Sequence, residues 1–143
     1  PITDERMTRF MISLEDGVGL IWHAFEDMLG GEIYVKKIPS MGILDIAKAV
    51  APNSEVEIIG IRPGEKLHEQ MIGIEDSYLT YEYNDYYKIL PSINEWGSDL
   101  NRIKDGKIVD EGFVYSSENN KDYMTIEDLQ KWISKNSEKI GKI

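Results

Sequence analysis

The side chains best suited to chemistry follow a short apolar run at residues 58–61, in the segment Arg62-Pro63-Gly64-Glu65. A proline fixes φ near about −65° and a glycine tolerates positive φ, so Pro63 and Gly64 fit the central positions of a type II turn. Arg62, at the end of a predicted strand, offers a planar fork of donors that suits phosphate. The carboxylate of Glu65 accepts hydrogen bonds from two hydroxyls of a ribose or a hexose.

The residues after this turn extend the pattern of charged side chains. Glu65, Lys66 and His68 are predicted to open a short helix with free backbone N–H groups. The ends of strands are common places for ligand-binding groups in α/β proteins. A surface turn followed by an ordinary charged helix explains the same residues, and spacing alone leaves both interpretations open.

The composition predicts a single folded domain. The chain has 143 residues, 41% of them hydrophobic, and at this size roughly two-thirds of the surface of the unfolded chain can be buried. The formal net charge of −10 argues against nucleic acids and membranes as partners, because both attract basic surfaces. An anionic ligand must therefore be held by local positive groups.

The composition also argues against thiol, metal and membrane chemistry. The chain has no cysteine and only two histidines, His23 and His68, so neither disulfides nor a zinc site are expected. His23 is interpreted as an ordinary helix residue. With no long apolar run and no signal peptide visible, the chain is expected to be cytoplasmic. Because it begins at Pro1 rather than at a methionine, we expect it to be a piece of a longer protein.

Helices and strands are predicted to alternate over the first part of the chain, after an extended lead-in at residues 1–12. Ser13 caps a helix that Gly30 and Gly31 end. Its apolar face is formed by residues three and four apart, namely Leu14, Val18, Ile21, Phe25 and Met28. A strand at 32–38, a helix that Ser40 caps and a strand at 55–61 follow. This order favours parallel strands with crossover helices, although two such strands do not make a stable sheet.

The second half of the chain is predicted to have a different character. Tyrosine-rich strands at 78–83 and 86–90 flank an Asn84-Asp85 turn. The tyrosines suit either a stacking platform for a base or half-buried strands. Residues 91–122 are loop-like, apart from an Asp105-Gly106 hairpin between 101–104 and 107–109 and a short strand at 112–117. Thr125 and Asp128 cap a final helix whose expected inward residues are Ile126, Leu129, Trp132 and Ile133, and the lysine-rich end is expected to fray.

Catalytic motifs are not visible in the sequence. It has no glycine-rich dinucleotide or phosphate loop, no Gly-x-Ser-x-Gly elbow and no His-Glu-x-x-His metal motif. No tyrosine is followed four residues later by a lysine, which is the pair that short-chain dehydrogenases use. We therefore expect no catalytic residue and no cofactor-binding loop in this chain.

Three motifs resemble the C-terminal portion of the inverting UDP-N-acetylglucosamine 4,6-dehydratases, which are extended short-chain dehydrogenase/reductases of polysaccharide biosynthesis. They lie at residues 7–10, 30–41 and 58–69, the last reading Ile-Ile-Gly-Ile-Arg-Pro-Gly-Glu-Lys-Leu-His-Glu. That form is closest to the enzymes of the pseudaminic-acid pathway. Residues 115–117 and the last helix are similar to the family's C-terminal end.

The resemblance implies a fold and a set of site residues. The fold is α/β, the C-terminal part of an extended Rossmann-type short-chain dehydrogenase/reductase, with two helix–strand units and a small mixed α/β substrate-binding region. Residues 1–143 form a single substrate-binding portion, and the N-terminal Rossmann domain is absent. Arg9 and Arg62 match positions that contact the UDP diphosphate, and Glu65 matches the position that binds the ribose. Lys66 and His68 either join them or face solvent and nearby acids.

The resemblance also implies the reaction of the intact enzyme. A tightly held NADP, bound by the missing domain, oxidises C4 of the sugar, water is lost across C5 and C6, and the hydride returns with inversion at C5. This chain, inactive alone, contributes binding and orientation of the UDP-sugar. Its expected partners are the UDP-sugar, the missing domain or a second chain that supplies it, and further copies in a homo-oligomer. The alternatives are part of a UDP-sugar 4-epimerase or a non-enzymatic interaction module with apolar edges at 32–38 and 55–61.

Overall fold

A computed structural model describes residues 1–92 and 99–137 of the chain. Its contacts divide the chain into two compact units, each assembled from segments that are distant in sequence. The first unit combines Pro1–Met11, Pro39–Glu69 and the chain from Ser117 onward, and the second combines Ile12–Ile38 and Gln70–Ser116. The expected fraying at 138–143 lies outside the described residues.

Short strands and helices make up both units. The strands are β1 (Thr8–Phe10), β2 (Ile33–Lys36), β3 (Ser40–Gly42), β4 (Gln70–Ile72), β5 (Thr80–Glu82), β6 (Tyr86–Ile89), β7 (Lys107–Ile108) and β8 (Tyr115–Ser116). The helices are α1 (Leu14–Asp27), α2 (Ile43–Val50), α3 (Leu100–Ile103) and α4 (Ile126–Lys135), and a 3₁₀ helix spans Ile74–Leu79. Within the described residues, no helix is long and apolar enough to cross a membrane.

The first unit is a small β-ribbon joined to a pair of packed helices. β1 pairs antiparallel with β3, so that Arg9 lies opposite Met41. Helix α2 follows β3 directly and packs against α4. The apolar core at this contact is formed by the buried side chains of Met41, Ala49 and Leu129. Strand β3 and helices α2 and α4 are thus held by one common core.

The second unit is built around an antiparallel sheet with the strand order β2-β6-β5-β7. A separate pair, β4 and β8, carries Tyr115, whose hydroxyl contacts both the backbone N and O of Ile38 at 2.9 and 3.0 Å. Val35 and Tyr87 are partners in the register of β2 and β6, and both are buried. The α/β character is confirmed, although the parallel arrangement is not.

The predicted parallel strands are wrong for a physical reason. Two strands do not form a stable sheet by themselves, and β2 pairs instead with the tyrosine-rich strand β6. Residues 55–61 form no strand and make one isolated parallel bridge, between Ile58 and Ile2. Gly60 has a φ of 88°, which is incompatible with regular strand backbone at that position.

Four further local predictions are corrected. Residues 65–69 form no helix. Ser40 lies in β3, with backbone bonds to residues 122 and 124, and α2 has Gly42 as its N-cap. Residues 100–103 form α3, which Asp99 caps, rather than the first strand of a hairpin. Trp132 was expected to face inward on α4 and is 41% exposed.

Three predictions that depend on neighbouring residues are confirmed. The hydroxyl of Ser13 accepts a hydrogen bond from the backbone N of Asp16 at the start of α1. Thr125 and Asp128 form a reciprocal capping box at the start of α4. Strands β5 and β6 are antiparallel partners on either side of residues 84 and 85. In each case the interacting residues lie within a few positions of each other along the chain.

Candidate functional site

The turn at residues 62–65 is the predicted type II turn. Gly64 has a φ of 81°, and the backbone N of Glu65 donates to the backbone O of Arg62 at 3.1 Å. Positive φ is free of steric cost only for glycine, so Gly64 allows the chain to reverse here. A Cβ at Gly64 would meet no heavy atom within 4 Å. The preference for glycine at this position therefore comes from its backbone φ and not from crowding by other atoms.

The carboxylate of Glu65 fastens this turn to the N-terminal segment. One oxygen accepts a hydrogen bond from the backbone N of Arg62 at 3.1 Å, and the other accepts from the hydroxyl of Thr3 at 3.0 Å. The bond from the Arg62 backbone, with that from Thr3 and the charges of Arg62 and Arg9, lowers the pKa of Glu65. A carboxylate has about four acceptor positions, so Glu65 retains capacity for hydroxyl donors.

The side chains of Arg62 and Lys66 are the exposed positive groups of this segment. Both residues are exposed, and neither charged group makes a hydrogen bond or an ion pair within residues 1–92 and 99–137. The donors of the Arg62 guanidinium are therefore available to a ligand. Its backbone is fixed by the turn, which limits the conformational entropy lost when a ligand binds.

Arg9 has a different environment from Arg62. Its guanidinium donates to the backbone oxygens of Thr8, Leu67 and Lys66 at 2.7, 3.0 and 3.2 Å. The Nε atom lies 3.9 Å from the carboxylate of Glu69. These bonds tie the segment at 66–69 to β1 and explain why that segment is not helical, because two of its carbonyls are already engaged by Arg9. The side chain predicted to contact diphosphate thus holds residues 66 and 67 in place.

His68 belongs to a chain of polar groups that the sequence did not predict. Its Nδ1 atom lies 2.8 Å from the hydroxyl oxygen of Thr8, which lies 2.7 Å from the hydroxyl oxygen of Ser117. The Nε2 atom is 3.6 Å from the carboxylate of Glu118. The backbone N of Glu69 donates to the Ser117 hydroxyl at 2.9 Å. Ser117 is fully buried, so its hydroxyl must satisfy its bonds within the protein.

Counting the donors among these hydrogen bonds gives one consistent placement of the proton on His68. The Ser117 hydroxyl accepts from Glu69 and donates its own proton to the backbone O of Thr8 at 3.2 Å. The Thr8 hydroxyl then donates to Ser117, and its oxygen accepts a hydrogen bond from Nδ1–H of His68. This arrangement gives each of the hydrogen bonds at Ser117 and Thr8 one donor and one acceptor. In the neutral ring it leaves Nε2 of His68 as an acceptor.

The structure joins several predicted site residues and adds new ones. Hydrogen bonds link Arg62 to Glu65, and Arg9 to the backbone of Lys66. His68 lies on the same segment. Thr3, Thr8 and Ser117, which bond to these residues, were not predicted, because hydroxyl side chains have no distinctive spacing in sequence. Thr8 lies beside Arg9 within a motif at 7–10, which is the one signal that pointed toward it.

The tyrosine cluster in the second unit is better explained by packing of the rings within the protein than by stacking on a base. The rings of Tyr83 and Tyr86 stack on each other, with centroids 4.5 Å apart and an interplanar angle of 8°. The ammonium of Lys88, 1% exposed, lies 5.1 Å from the centroid of Tyr83 and pairs with Asp27. Burial raises the pKa of Tyr86 to about 12. These ring faces already cover a buried ion pair.

The described residues do not form a metal site or an evident dinucleotide site. No group of three or more histidine, aspartate and glutamate side chains in the described ranges is arranged to hold a metal ion. Helices α1, α2 and α4 each have an acidic residue in the first turn, for example Asp16 and Asp45. Such residues disfavour a phosphate at a helix N-terminus, where a dinucleotide would otherwise be held.

The chain is similar to known proteins over most of its length. A family model described as polysaccharide biosynthesis protein matches residues 1–91. The chain is 57% and 53% identical to two UDP-N-acetylglucosamine 4,6-dehydratases (inverting) of Campylobacter jejuni, over 84% and 90% of this chain. It is 38% identical to a UDP-glucose 4-epimerase of Rickettsia canadensis over 72% of this chain.

The matched relatives are longer than this chain. The similarity covers 37% and 40% of the two dehydratases and 30% of the epimerase. A solved structure, the X-ray structure of Pen from Bacillus thuringiensis, matches with a TM-score of 0.75 at 25% identity. That match covers 94% of this chain and 39% of the solved chain. More than half of each relative's length thus has no counterpart in the present sequence.

Proposed function

Because the chain belongs to the polysaccharide biosynthesis protein family, we propose that it forms the UDP-sugar-binding, C-terminal part of an inverting UDP-N-acetylglucosamine 4,6-dehydratase. Arg62 binds the diphosphate, and Glu65 accepts hydrogen bonds from the ribose hydroxyls. The observation that carries this proposal is the exposed guanidinium of Arg62 on a rigid turn, with no partner in the described residues. Such a planar fork of donors suits a diphosphate.

The other predicted residues have supporting roles in this proposal. Lys66 adds a second positive charge one residue after Glu65, which helps to hold an anion on a protein with a net charge of −10. His68 offers Nε2 as an acceptor to a hydroxyl donor of the ligand. Arg9 holds the backbone of residues 66 and 67, and its diphosphate contact uses Nε, which makes no hydrogen bond within the described residues and lies 3.9 Å from the Glu69 carboxylate.

The chain's own residues do not fit NADP, the cofactor that this class of enzyme implies. The acidic first turns of α1, α2 and α4 are unsuited to a pyrophosphate. We assign the cofactor and the catalytic groups to the part of the enzyme outside this chain. The contribution of the present chain is binding and orientation, since contacts to the remote UDP group position the hexose for reaction.

A second candidate within the same class is a UDP-sugar 4-epimerase, which the similarity to the Rickettsia enzyme favours. Diphosphate-binding arginines serve either reaction. Product analysis of the intact enzyme with UDP-N-acetylglucosamine separates the two, because a dehydratase releases a 4-keto-6-deoxy sugar and an epimerase releases a C4-inverted sugar. The proposal expects the 4-keto-6-deoxy product. If the C4-inverted sugar is the sole product, the epimerase replaces the dehydratase as the proposed function.

Isothermal titration of the chain with UDP tests the binding proposal. Arg62→Ala is expected to weaken binding by about 1.5 to 3 kcal/mol, or roughly tenfold to a hundredfold, which is typical of a lost charge-assisted hydrogen bond. The matched control is Arg6→Ala, which removes the same charge from an exposed arginine that pairs with Asp4. If the Arg62→Ala and Arg6→Ala variants bind UDP with equal affinity, Arg62 does not contact the ligand.

A further inference from the structure

Thr3 lies beside the turn at 62–65 and is held there through the backbone of its neighbour. The backbone N of Ile2 donates to the backbone O of Glu57 at 2.7 Å, and the backbone O of Ile2 accepts from the backbone N of Ile59 at 2.8 Å. These two bonds attach the N-terminal segment to the segment that leads into the turn. The position of the Thr3 side chain relative to the turn is therefore fixed by backbone bonds.

The hydroxyl of Thr3 has one proton and two acceptors within reach. Its oxygen lies 3.0 Å from Oε1 of Glu65 and 3.1 Å from the sulfur of Met7. An ionised carboxylate is a much stronger acceptor than a thioether, so the proton is donated to Glu65. Thr3 and Glu65 are half-buried and Met7 is buried, which partly shields this bond from competition by water.

Each oxygen of the Glu65 carboxylate receives one donor from the protein. Oε1 accepts from the Thr3 hydroxyl, and Oε2 accepts from the backbone N of Arg62 at 3.1 Å. Because the two donors occupy different oxygens, the carboxylate cannot rotate about its Cγ–Cδ bond without losing one of them. A carboxylate has about four acceptor positions, so one position on each oxygen stays available for a ligand.

We propose that Thr3 is a positioning residue, which orients the Glu65 carboxylate to accept the two neighbouring hydroxyls of a ribose, one on each oxygen. The inference rests on the proposed function, because it takes the ligand to be the UDP part of a nucleotide sugar. A freely rotating carboxylate loses conformational entropy when a diol binds, and the Thr3 bond reduces that loss in advance. Thr3 thus acts through Glu65 and increases the preference for a ligand that carries both hydroxyls.

Isothermal titration of the chain with UDP and with 2′,3′-dideoxy-UDP tests this role. The wild type is expected to bind UDP more tightly, because the dideoxy analogue offers no ribose hydroxyl to Glu65. Thr3→Val, which replaces the hydroxyl with a methyl group, should weaken UDP binding by roughly threefold to tenfold. It should leave the affinity for the analogue unchanged. Arg62→Ala, in contrast, should weaken the binding of both ligands by the same factor, since both carry the diphosphate.

Three further variants make the result specific. Thr3→Ser keeps the hydroxyl and should bind both ligands as the wild type does. Thr125→Val breaks a bond of the same kind, from a threonine hydroxyl to the carboxylate of Asp128 at 2.7 Å, and should change neither affinity. When Glu65→Ala is already present, Thr3→Val should have no additional effect on the ratio of the two affinities. Circular dichroism verifies that each variant is folded at the temperature of the titration.

The pKa of Glu65 provides a second measurement, which needs no ligand. The bond from the Arg62 backbone and the bond from the Thr3 hydroxyl both lower this pKa. Loss of the hydroxyl in Thr3→Val should therefore raise the pKa of Glu65, whereas Thr3→Ser should keep the wild-type value. The ¹³C chemical shift of the Glu65 carboxyl carbon, followed through a pH titration, reports the change.

The possible outcomes distinguish the role of Thr3 from the proposed function. If Thr3→Val keeps the wild-type ratio of affinities, or if it leaves the pKa of Glu65 unchanged, the positioning role is wrong while UDP binding stands. If the folded wild-type chain binds UDP and the dideoxy analogue equally well, Glu65 does not accept the ribose hydroxyls, which also overturns the inference. If it binds neither ligand, the UDP-binding proposal fails for this chain, and the role of Thr3 fails with it.

Discussion

The hydroxyl oxygen of Thr8 lies 2.8 Å from Nδ1 of His68, although the two residues are 60 positions apart in the sequence. This contact connects a strand of the first unit to the segment that carries the proposed ligand-binding residues. The same hydroxyl lies 2.7 Å from that of Ser117, so three distant segments share one hydrogen-bond chain. The direction of that chain determines which nitrogen of His68 is available for a ligand.

Ser117→Ala is expected to reverse the tautomer of His68. Without the Ser117 acceptor, the Thr8 hydroxyl donates to Nδ1 and the ring proton moves to Nε2. Ring ¹⁵N chemical shifts, recorded at about pH 8.5 where an imidazole is neutral, should report an Nδ1–H ring in the wild type and an Nε2–H ring in the variant. His23, the other histidine, serves as an internal control whose signals should stay unchanged. An Nε2–H ring in the wild type would contradict the assignment.

Arg9 and Arg62 are expected to differ in what they contribute to stability. Arg9→Ala removes three bonds to backbone oxygens and should lower the free energy of unfolding by about 1 to 3 kcal/mol. Arg62→Ala should change that free energy by less than about 0.5 kcal/mol, because its side chain is exposed. Urea unfolding of both variants measures the difference. Equal losses would show that the guanidinium bonds of Arg9 are not maintained in solution.

Gly64→Ala is expected to strain the turn. A non-glycine residue at a φ of 81° costs about 1 to 2 kcal/mol, and no steric contact adds to this cost. The matched control is Gly19→Ala, which lies within α1 and also has open space around its Cβ position. That substitution should stabilise the chain by up to about 1 kcal/mol. Thermal or urea unfolding should therefore show that the two substitutions change the free energy of unfolding in opposite directions. A Gly64→Ala variant as stable as the wild type would contradict the positive φ of the turn.

Asp27→Asn is expected to destabilise the chain by about 3 to 5 kcal/mol, because it leaves the buried ammonium of Lys88 without its carboxylate. Burial alone would raise the pKa of Asp27, and hydrogen bonds from Lys104, Lys88 and Tyr34 outweigh it and hold the pKa well below its usual range. The matched control is Glu26→Gln on the exposed side of α1, which should be neutral.

The pH dependence of the Asp27 effect follows from the sign of that shift. A carboxylate with a depressed pKa in the folded state stabilises fully above its unfolded pKa of about 3.9, and the stabilisation is lost as the pH falls toward the folded value. The difference between wild type and Asp27→Asn should be constant from neutral pH down to about 5 and shrink in stronger acid. A difference that grows on acidification would contradict the ion pair.

Local rules explain which parts of the fold were predictable. The turn at 62–65, the caps Ser13 and Thr125 and the β5–β6 hairpin each depend on residues within a few positions of one another. The helix after the turn and the parallel strands were wrong, because the competing bonds come from distant segments. Arg9 occupies the backbone oxygens of residues 66 and 67, and β6 supplies the partner of β2.

The sequence by itself determined the turn, the identity of the ligand-binding side chains proposed for it and the family, because these reside in short contiguous motifs. Only the tertiary structure decided that Arg9 is engaged with backbone oxygens, that Ser117 reaches His68 through Thr8, and that the apolar face of α1 points outward. The physical reason is that backbone sterics act between neighbours. Hydrogen bonds between residues 58 to 109 positions apart exist only once the chain has brought those segments together.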